Sequence, residues 1–293
     1  MPSTRDIRRR IKSIKNTAQI TKAMQMVAAS KMRKAQQAAL AGRSYAALMN
    51  RMLAEVTHHT GDYVHPLMEE RAVQQRALIV ISTDRGLCGG LNSNLLREAA
   101  KSDPARTVFV AAGRKAAQFL ARTKRRLVAE FTYKDVPQFK EARAITRFAI
   151  DLYLKHEVDH VDILFTNFIS TLTQKVEVRP LIPVGELQAA STSGVGGEVS
   201  DDVLMKGATE FLFEPSATQV FEDLVPHYLN FQVYQLLLEA KASEHSARMV
   251  AMKSATDNAQ DLIKQLTLQY NKLRQANITK ELLEITTATM AMA

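Results

Sequence analysis

The sequence predicts an α/β fold combined with a long antiparallel coiled coil. N- and C-terminal helices pair, and an α/β domain is inserted between them. Two observations carry this. Apolar residues repeat in heptads near both ends, and the middle alternates short β-branched runs with helical patterns. A third supports it: of eleven glycines in 293 residues, ten lie between Gly61 and Gly207.

The first helix is read at 4–58. Its seam runs Ile7, Ile11, Ile14, Ala18, Thr21, Gln25, Ala28, Met32, Ala35, Ala39, Gly42, Ala46, Met49, Leu53 and Val56. The spacing alternates four and three without a slip, and a mean period of 3.5 keeps one stripe facing a partner helix. The second helix is read at about 217–288. Its seam runs Tyr228, Phe231, Gln235, Leu238, Ala242, His245, Met249, Met252, Thr256, Ala259, Ile263, Leu266, Tyr270 and Leu273. The last 77 residues hold no glycine and only Pro226. A breaker costs about 1 (Gly) to 3 (Pro) kcal/mol inside a helix, so their scarcity favours length.

Between the helices, 59–216 reads as a small Rossmann-like α/β layer with a mostly parallel sheet. Strands are predicted at Ala77–Thr83, Thr107–Ala112, Leu127–Tyr133, Val161–Phe168 and Lys175–Pro183. Helices are predicted at Asn92–Lys101, Arg114–Arg122 and Lys140–Lys155. A flexible loop is expected at Ala189–Gly197, and a short strand at Phe211–Phe213. The domains are thus 1–58, 59–216 and 217–293. If the middle domain is compact, both helix ends sit on it and the pair is antiparallel. At 1.5 Å per residue the helices span roughly 80 and 110 Å, so the second overshoots. Ile278, Leu282, Leu283 and Ile285 would then stand beyond the pair and need a sleeve.

The net charge of +9 is unevenly placed. Residues 1–58 carry 12 Lys/Arg against Asp6 and Glu55, whereas the middle is neutral and the last 77 residues carry 7 against 8. The first helix is therefore the basic element, open to an acidic protein, nucleic acid or an anionic membrane. Cys88 is the one cysteine, so no internal disulfide is possible. No apolar run approaches the roughly 18 residues of a membrane span. The N-terminus has no apolar core of a signal peptide, and no transit peptide is expected.

Candidate chemistry is sparse. Asp84–Asn92 (DRGLCGGLN) stands where a phosphate loop would, yet it is neither a P-loop nor the dinucleotide fingerprint. A tight strand-to-helix turn is the better reading, with Cys88 inert. His58, His59 and His65 are read as a solvated helix cap, and His245 as a polar seam residue that sets register. Met32, Met249 and Met252 are read as core. No catalytic residue, cofactor site or metal site emerges.

Three segments resemble a known family: Ile20–Ala35 (ITKAMQMVAASKMRKA), Ser82–Asn92 (STDRGLCGGLN), and a C-terminal stretch, LLEAKASEHSARMVAMKSATDN with NKLRQANITKELLE. Together they resemble the gamma subunit of F-type ATP synthases over essentially the whole chain. The resemblance implies a central rotor stalk turning inside a ring of alpha and beta subunits, with catalysis in the beta subunits. The middle domain would rest with the epsilon subunit on the membrane c-ring. It implies no cofactor, no nucleic acid and no transmembrane segment. Lys22, Met24, Val27, Arg248, Arg274, Gln275, Thr279, Glu281 and Glu284 match positions that couple to the catalytic ring. Phe211 and Glu214 match the segment on the c-ring. The tail departs from the family in lacking glycine after Ile285. The missing cysteine-pair insertion of chloroplast forms points to a bacterial type, on the cytoplasmic face of the inner membrane. Two other readings compete. A coiled-coil nucleic-acid-binding protein would use the basic helix, which offers only Tyr45 for stacking. A nucleotide-binding enzyme would use the glycine loop.

Overall fold

A computed structural model describes residues 3–60, 63–185, 213–214 and 216–292. It divides into two compact units, Met1–Ala28 with Met249–Ala293, and Ala29–Arg248. Two helices open the chain, α1 (Thr4–Ala41) and α2 (Arg43–His59), and α6 (Ala217–Met292) closes it. Between them lie β1 (Arg76–Ile81), α3 (Leu91–Ala100), β2 (Thr107–Ala112), α4 (Arg114–Arg122), β3 (Leu127–Phe131), α5 (Phe139–Leu154), β4 (His160–Phe168) and β5 (Gln174–Ile182). The expected loop at Ala189–Gly197 lies outside the described residues, as do two of the three in the expected strand at Phe211–Phe213.

In the first unit the heptad stripe is an interface. Ile7 and Ala28 are buried, and Ile11, Ile14, Ala18 and Gln25 are half-buried. On α6, Met252, Thr256 and Ala259 are buried, and Ile263, Leu266, Tyr270 and Leu273 half-buried. The polar members Thr21 and Thr256 meet at 2.7 Å between hydroxyls. One hydroxyl donates to the other, and the accepting one donates to its own backbone carbonyl, that of Ala18 at 3.1 Å from Thr21 or of Met252 at 2.8 Å from Thr256. The buried hydroxyls therefore have partners, as burial demands. Beyond Leu273 every described side chain of α6 is exposed, including Ile278, Leu282, Leu283 and Ile285. The expected overshoot is present within this unit.

In the second unit the same stripe continues. Met32, Ala35, Ala39, Met49, Leu53 and Val56 are buried, as are Tyr228, Phe231, Leu238, Ala242 and His245. The single helix expected over 4–58 is interrupted at Gly42. A Cβ there would lie 1.8 Å from Gln235 Nε2, so the Gln235 side chain occupies the space that a side chain at 42 would need. Gly42 thus faces Gln235 as Thr21 faces Thr256.

The sheet has the order β3-β2-β1-β4-β5. β1 pairs in parallel with β2 and β4, β2 with β3, and β5 returns antiparallel to β4. β1 and β2 are buried almost throughout, as strands covered on both faces must be. Ala77, Ile79, Ile81, Val110 and Ile163 pack with α5, with Leu53 and Val56 of α2, and with Phe221, Val225 and Leu229 of α6. Leu78, Val80, Phe109 and Leu164 pack against Leu95 of α3 and Leu120 of α4. Each such fully buried side chain contributes roughly 1.5–3 kcal/mol. His65, read from sequence as solvated, is buried, because its Nδ1 accepts the Leu67 amide at 3.0 Å and its ring stands edge-on to Phe221.

The threonine pair gives a direct test. Thr21→Val or Thr256→Val alone should cost about 1 kcal/mol, because the bond between the two buried hydroxyls is lost. The double valine variant should be less destabilised than the two singles together, measured by urea unfolding. Strict additivity would show that the hydroxyls do not interact.

Candidate functional site

Open sheets of parallel strands bind ligands outside the carboxyl ends, where the strand order reverses. Here that point lies between β1 and β4. Ser82, just after β1, donates to the Gly113 carbonyl at 3.2 Å and accepts the Ala116 amide at 2.8 Å. Asp84 accepts the Arg114 amide at 3.0 Å, and the Thr83 carbonyl accepts that of Lys115 at 3.1 Å. The first amides of α4, which would otherwise attract a phosphate, are bonded internally. Gly113 makes the closure possible. Its φ is +106°, and a Cβ would fall 2.2 Å from the Ser82 carbonyl oxygen.

α6 fills the remaining space. Every residue from Leu236 to Ser246 is buried, including Lys241, Ser243, Glu244 and His245. Glu244 binds Lys241 Nζ at 2.9 Å and Arg248 Nη2 at 2.7 Å. Burial alone would raise the Glu244 pKa, but the two cations overcome that and lower it. Lys241 Nζ also lies 4.6 Å from the Tyr133 ring centre, a cation–π contact. The Tyr133 hydroxyl donates to the Ser82 carbonyl, and burial pushes its pKa well up. Ser243 donates to the Thr166 carbonyl at 2.9 Å and Ser246 to that of Thr171 at 2.8 Å. Arg248 donates to the Gly86 carbonyl at 3.3 Å. His245 Nδ1 lies 3.4 Å from Arg248 Nη1, and its Nε2 is buried without a hydrogen-bond partner. Burial holds the imidazole neutral, with a pKa lowered to about 4.

The loop Asp84–Gly90 is shaped by the same contacts. Leu87 adopts φ +64° and is 62% exposed. Cys88 points inward, 2% exposed, with its thiol pKa raised by burial. Among the described residues no group of three metal-ligating side chains occurs, and no helix is long and apolar enough to cross a membrane. At the opposite, amino-terminal edge of the sheet is a groove of about 500 Å³ over Leu78 and Leu164. Four of its charges pair with one another, Arg76 with Asp162 at 3.6 Å and Lys101 with Glu98 at 2.7 Å.

The residues picked from sequence fall into separate places. Lys22 and Val27 are exposed and Met24 half-buried on α1. Arg274, Gln275, Thr279, Glu281 and Glu284 are all exposed on α6, with Thr279 bonded to the Gln275 carbonyl and Glu284 to Lys280. Arg248 is turned into the buried ion cluster. Glu214 is exposed, and Phe211 lies outside the described residues. Sequence reasoning passed over Lys241, Ser243, Ser246 and Tyr133. The one trace in the sequence is that Ala240, Ala242, Ser243 and Ser246 are small, but the charges between them read as a solvated helix.

Fold and site together define a coiled-coil protein with an inserted α/β domain, whose ligand crevice is occupied by its own helix. A family model described as ATP synthase matches residues 3–292. Two bacterial proteins named ATP synthase gamma chain are similar along their whole length. That of Methylacidiphilum infernorum is 47% identical and that of Opitutus terrae 48%, each with all of both chains covered. A chain in the OSCP/F1/c-ring structure of the Euglena gracilis mitochondrial ATP synthase shares the fold. It has a TM-score of 0.67 at 19% identity, over 99% of this chain and 94% of that one. A central-stalk chain of the Tetrahymena thermophila mitochondrial enzyme gives 0.60 at 24% identity, over 80% of this chain and 99% of that one. The chain belongs to the ATP synthase gamma chain family, and its role is that of a rotor-stalk subunit.

The buried cluster sets two expectations. Glu244→Gln leaves Lys241 and Arg248 without their counter-ion and should cost roughly 3–5 kcal/mol in chemical denaturation. His245 titrates near its ordinary 6.5 when unfolded and at about 4 when folded. The unfolded chain therefore takes up the extra proton between those values, and stability should fall as pH drops from 6.5 to 4. The loss should be about 3 kcal/mol from this group. His245→Gln should flatten that part of the stability–pH curve. An unchanged slope would show that His245 does not carry it.

Proposed function

We propose that this gamma chain converts rotation of a membrane c-ring into ATP synthesis by beta subunits, itself catalysing nothing. Its partners are the alpha and beta subunits, the epsilon subunit and the c-ring. Its location is the cytoplasmic face of a bacterial plasma membrane, as a peripheral subunit. One observation carries most of this reading. In the first unit, large apolar side chains face water on both helices: Ile20 and Met26 at 60%, Leu282 at 58% and Leu283 at 59%. Apolar surface of this extent on a stable protein marks a binding face. A ring of subunits around the helices would cover it.

Under the same reading Lys22, Met24 and Val27 on α1 meet the lower part of the catalytic ring, where acidic loops would suit the basic helix. Arg274, Gln275, Thr279, Glu281 and Glu284 meet it nearer the tip. Arg248 acts from inside the ion cluster, by holding the loop at Gly86. Glu214 and Phe211 precede α6 and contact the c-ring. The basic helix thus serves an acidic protein surface rather than nucleic acid.

Purified alone, the chain should show no ATP hydrolysis, and activity should appear on adding alpha and beta subunits. Hydrolysis by the isolated chain at an ordinary enzymatic rate would end the reading. Leu282→Asp with Leu283→Asp should leave the melting of the isolated chain within about 0.5 kcal/mol of the parent, since both positions are exposed. The same change should lower the yield of assembled complex, measured by size-exclusion chromatography with alpha and beta subunits.

A further inference from the structure

We propose that the carboxyl edge of the sheet is a collar that fixes α6 against rotation about its own axis, with Lys241, Ser243 and Ser246 as positioning residues. Three connections reach the helix. The β1–α3 loop presents the Gly86 carbonyl to Arg248. The β3–α5 loop lays Tyr133 against Lys241 and pairs Asp135 with Lys31 of α1. The β4–β5 hairpin presents the Thr166 carbonyl to Ser243 and that of Thr171 to Ser246. Gln174 Nε2 adds a bond to the Ser246 hydroxyl at 3.5 Å and holds the hairpin turn through the Ser170 and Thr171 carbonyls.

The placement of these contacts around the helix is what makes a lock. At 3.6 residues per turn, Lys241 and Arg248 share one side, while Ser243 and Ser246 lie about half a turn away. A roll in either direction breaks bonds on both sides. Apolar packing alone is non-directional and tolerates small rolls by rotamer changes. Hydrogen bonds to main-chain carbonyls weaken steeply with angle, so they hold orientation. Two of the serine bonds end on the backbone of one hairpin, which the sheet itself anchors through β4. Torque that reaches the sheet is handed to α6 through these bonds.

The collar rests on the rotor reading, and the test separates the two. The complete complex is assembled in vesicles, and ATP-driven proton uptake is measured per ATP hydrolysed. Three forms are compared: the parent, Ser243→Ala with Ser246→Ala, and Thr171→Cys with Ser246→Cys. The alanine form should hydrolyse ATP yet lose coupling by about two-fold or more. The cysteine form, oxidised to a crosslink, should keep the parent ratio, because a collar does not move during turnover. Full coupling in the alanine form would overturn the collar. So would arrest of turnover by the crosslink, reversed on reduction, since α6 would then have to shift against the sheet. If the alanine form fails to assemble, the crosslinked form decides alone. A parent complex that hydrolyses ATP without any proton uptake would instead overturn the rotor reading.

Discussion

Glu244 is the counter-ion that allows α6 to cross the sheet edge with two cations inside. An ion pair of this kind is a weak source of net stability, because desolvation offsets the Coulomb attraction. Its effect is on geometry. Lys241 finds both a carboxylate and an aromatic face, and Arg248 finds the carboxylate and the Gly86 carbonyl. Apolar residues of equal volume would pack there but would leave the loop carbonyl and the helix orientation unspecified. The occupied crevice, the shaped glycine loop and the docked hairpin all follow from that one crossing.

The same crossing explains why the α/β domain looks like a nucleotide-binding fold without its chemistry. The sheet order, the glycine loop after β1 and a helix behind it are present. The amides of α4 are consumed by Ser82, Thr83 and Asp84, and the space beyond is filled by Lys241–Arg248. The topology that makes a ligand site in other chains here makes a socket for a helix. One physical change suffices: a cationic side chain supplied from within replaces charge recognition of a ligand from without.

Much of this was legible in the sequence, for identifiable reasons. The heptad stripe was, because period 3.5 is a long-range signal that local noise does not erase. The strands Thr107–Ala112 and Val161–Phe168 were, since they are buried on both faces and read as apolar runs. The break at Gly42 was not, because it depends on how near Gln235 comes rather than on the seam position itself. Nor was the buried run on α6. Its Lys, Glu, His and Ser have the composition of a solvated helix, and only tertiary packing reveals that all sides are covered. His65 fails in the same way, since its partners are the Leu67 amide and Phe221. Of the coupling residues, family likeness supplied the choice. Periodicity could not, because Lys22, Val27 and Arg274 are exposed positions on which the fold places no demand.

That last point bears on the charge of α1. Among the described residues, no ion pair involves Lys12, Lys15 or Lys22, all exposed on α1. A row of like charges repels itself and gives nothing back to the folded state, so the fold does not account for it. The cost is modest in water with salt, where exposed charges are screened beyond about 8–10 Å. A partner of opposite sign within that distance reverses it. The seam of this unit is buried between its own helices, so the outward faces are all that remain for such a partner. They combine cations with apolar side chains such as Ile20 and Val27. Apolar contact supplies attraction without direction, while charge selects which surface is met and in what orientation. A surface built from both can hold a partner closely and still distinguish one face of it from the next, as a subunit turning among several partners must.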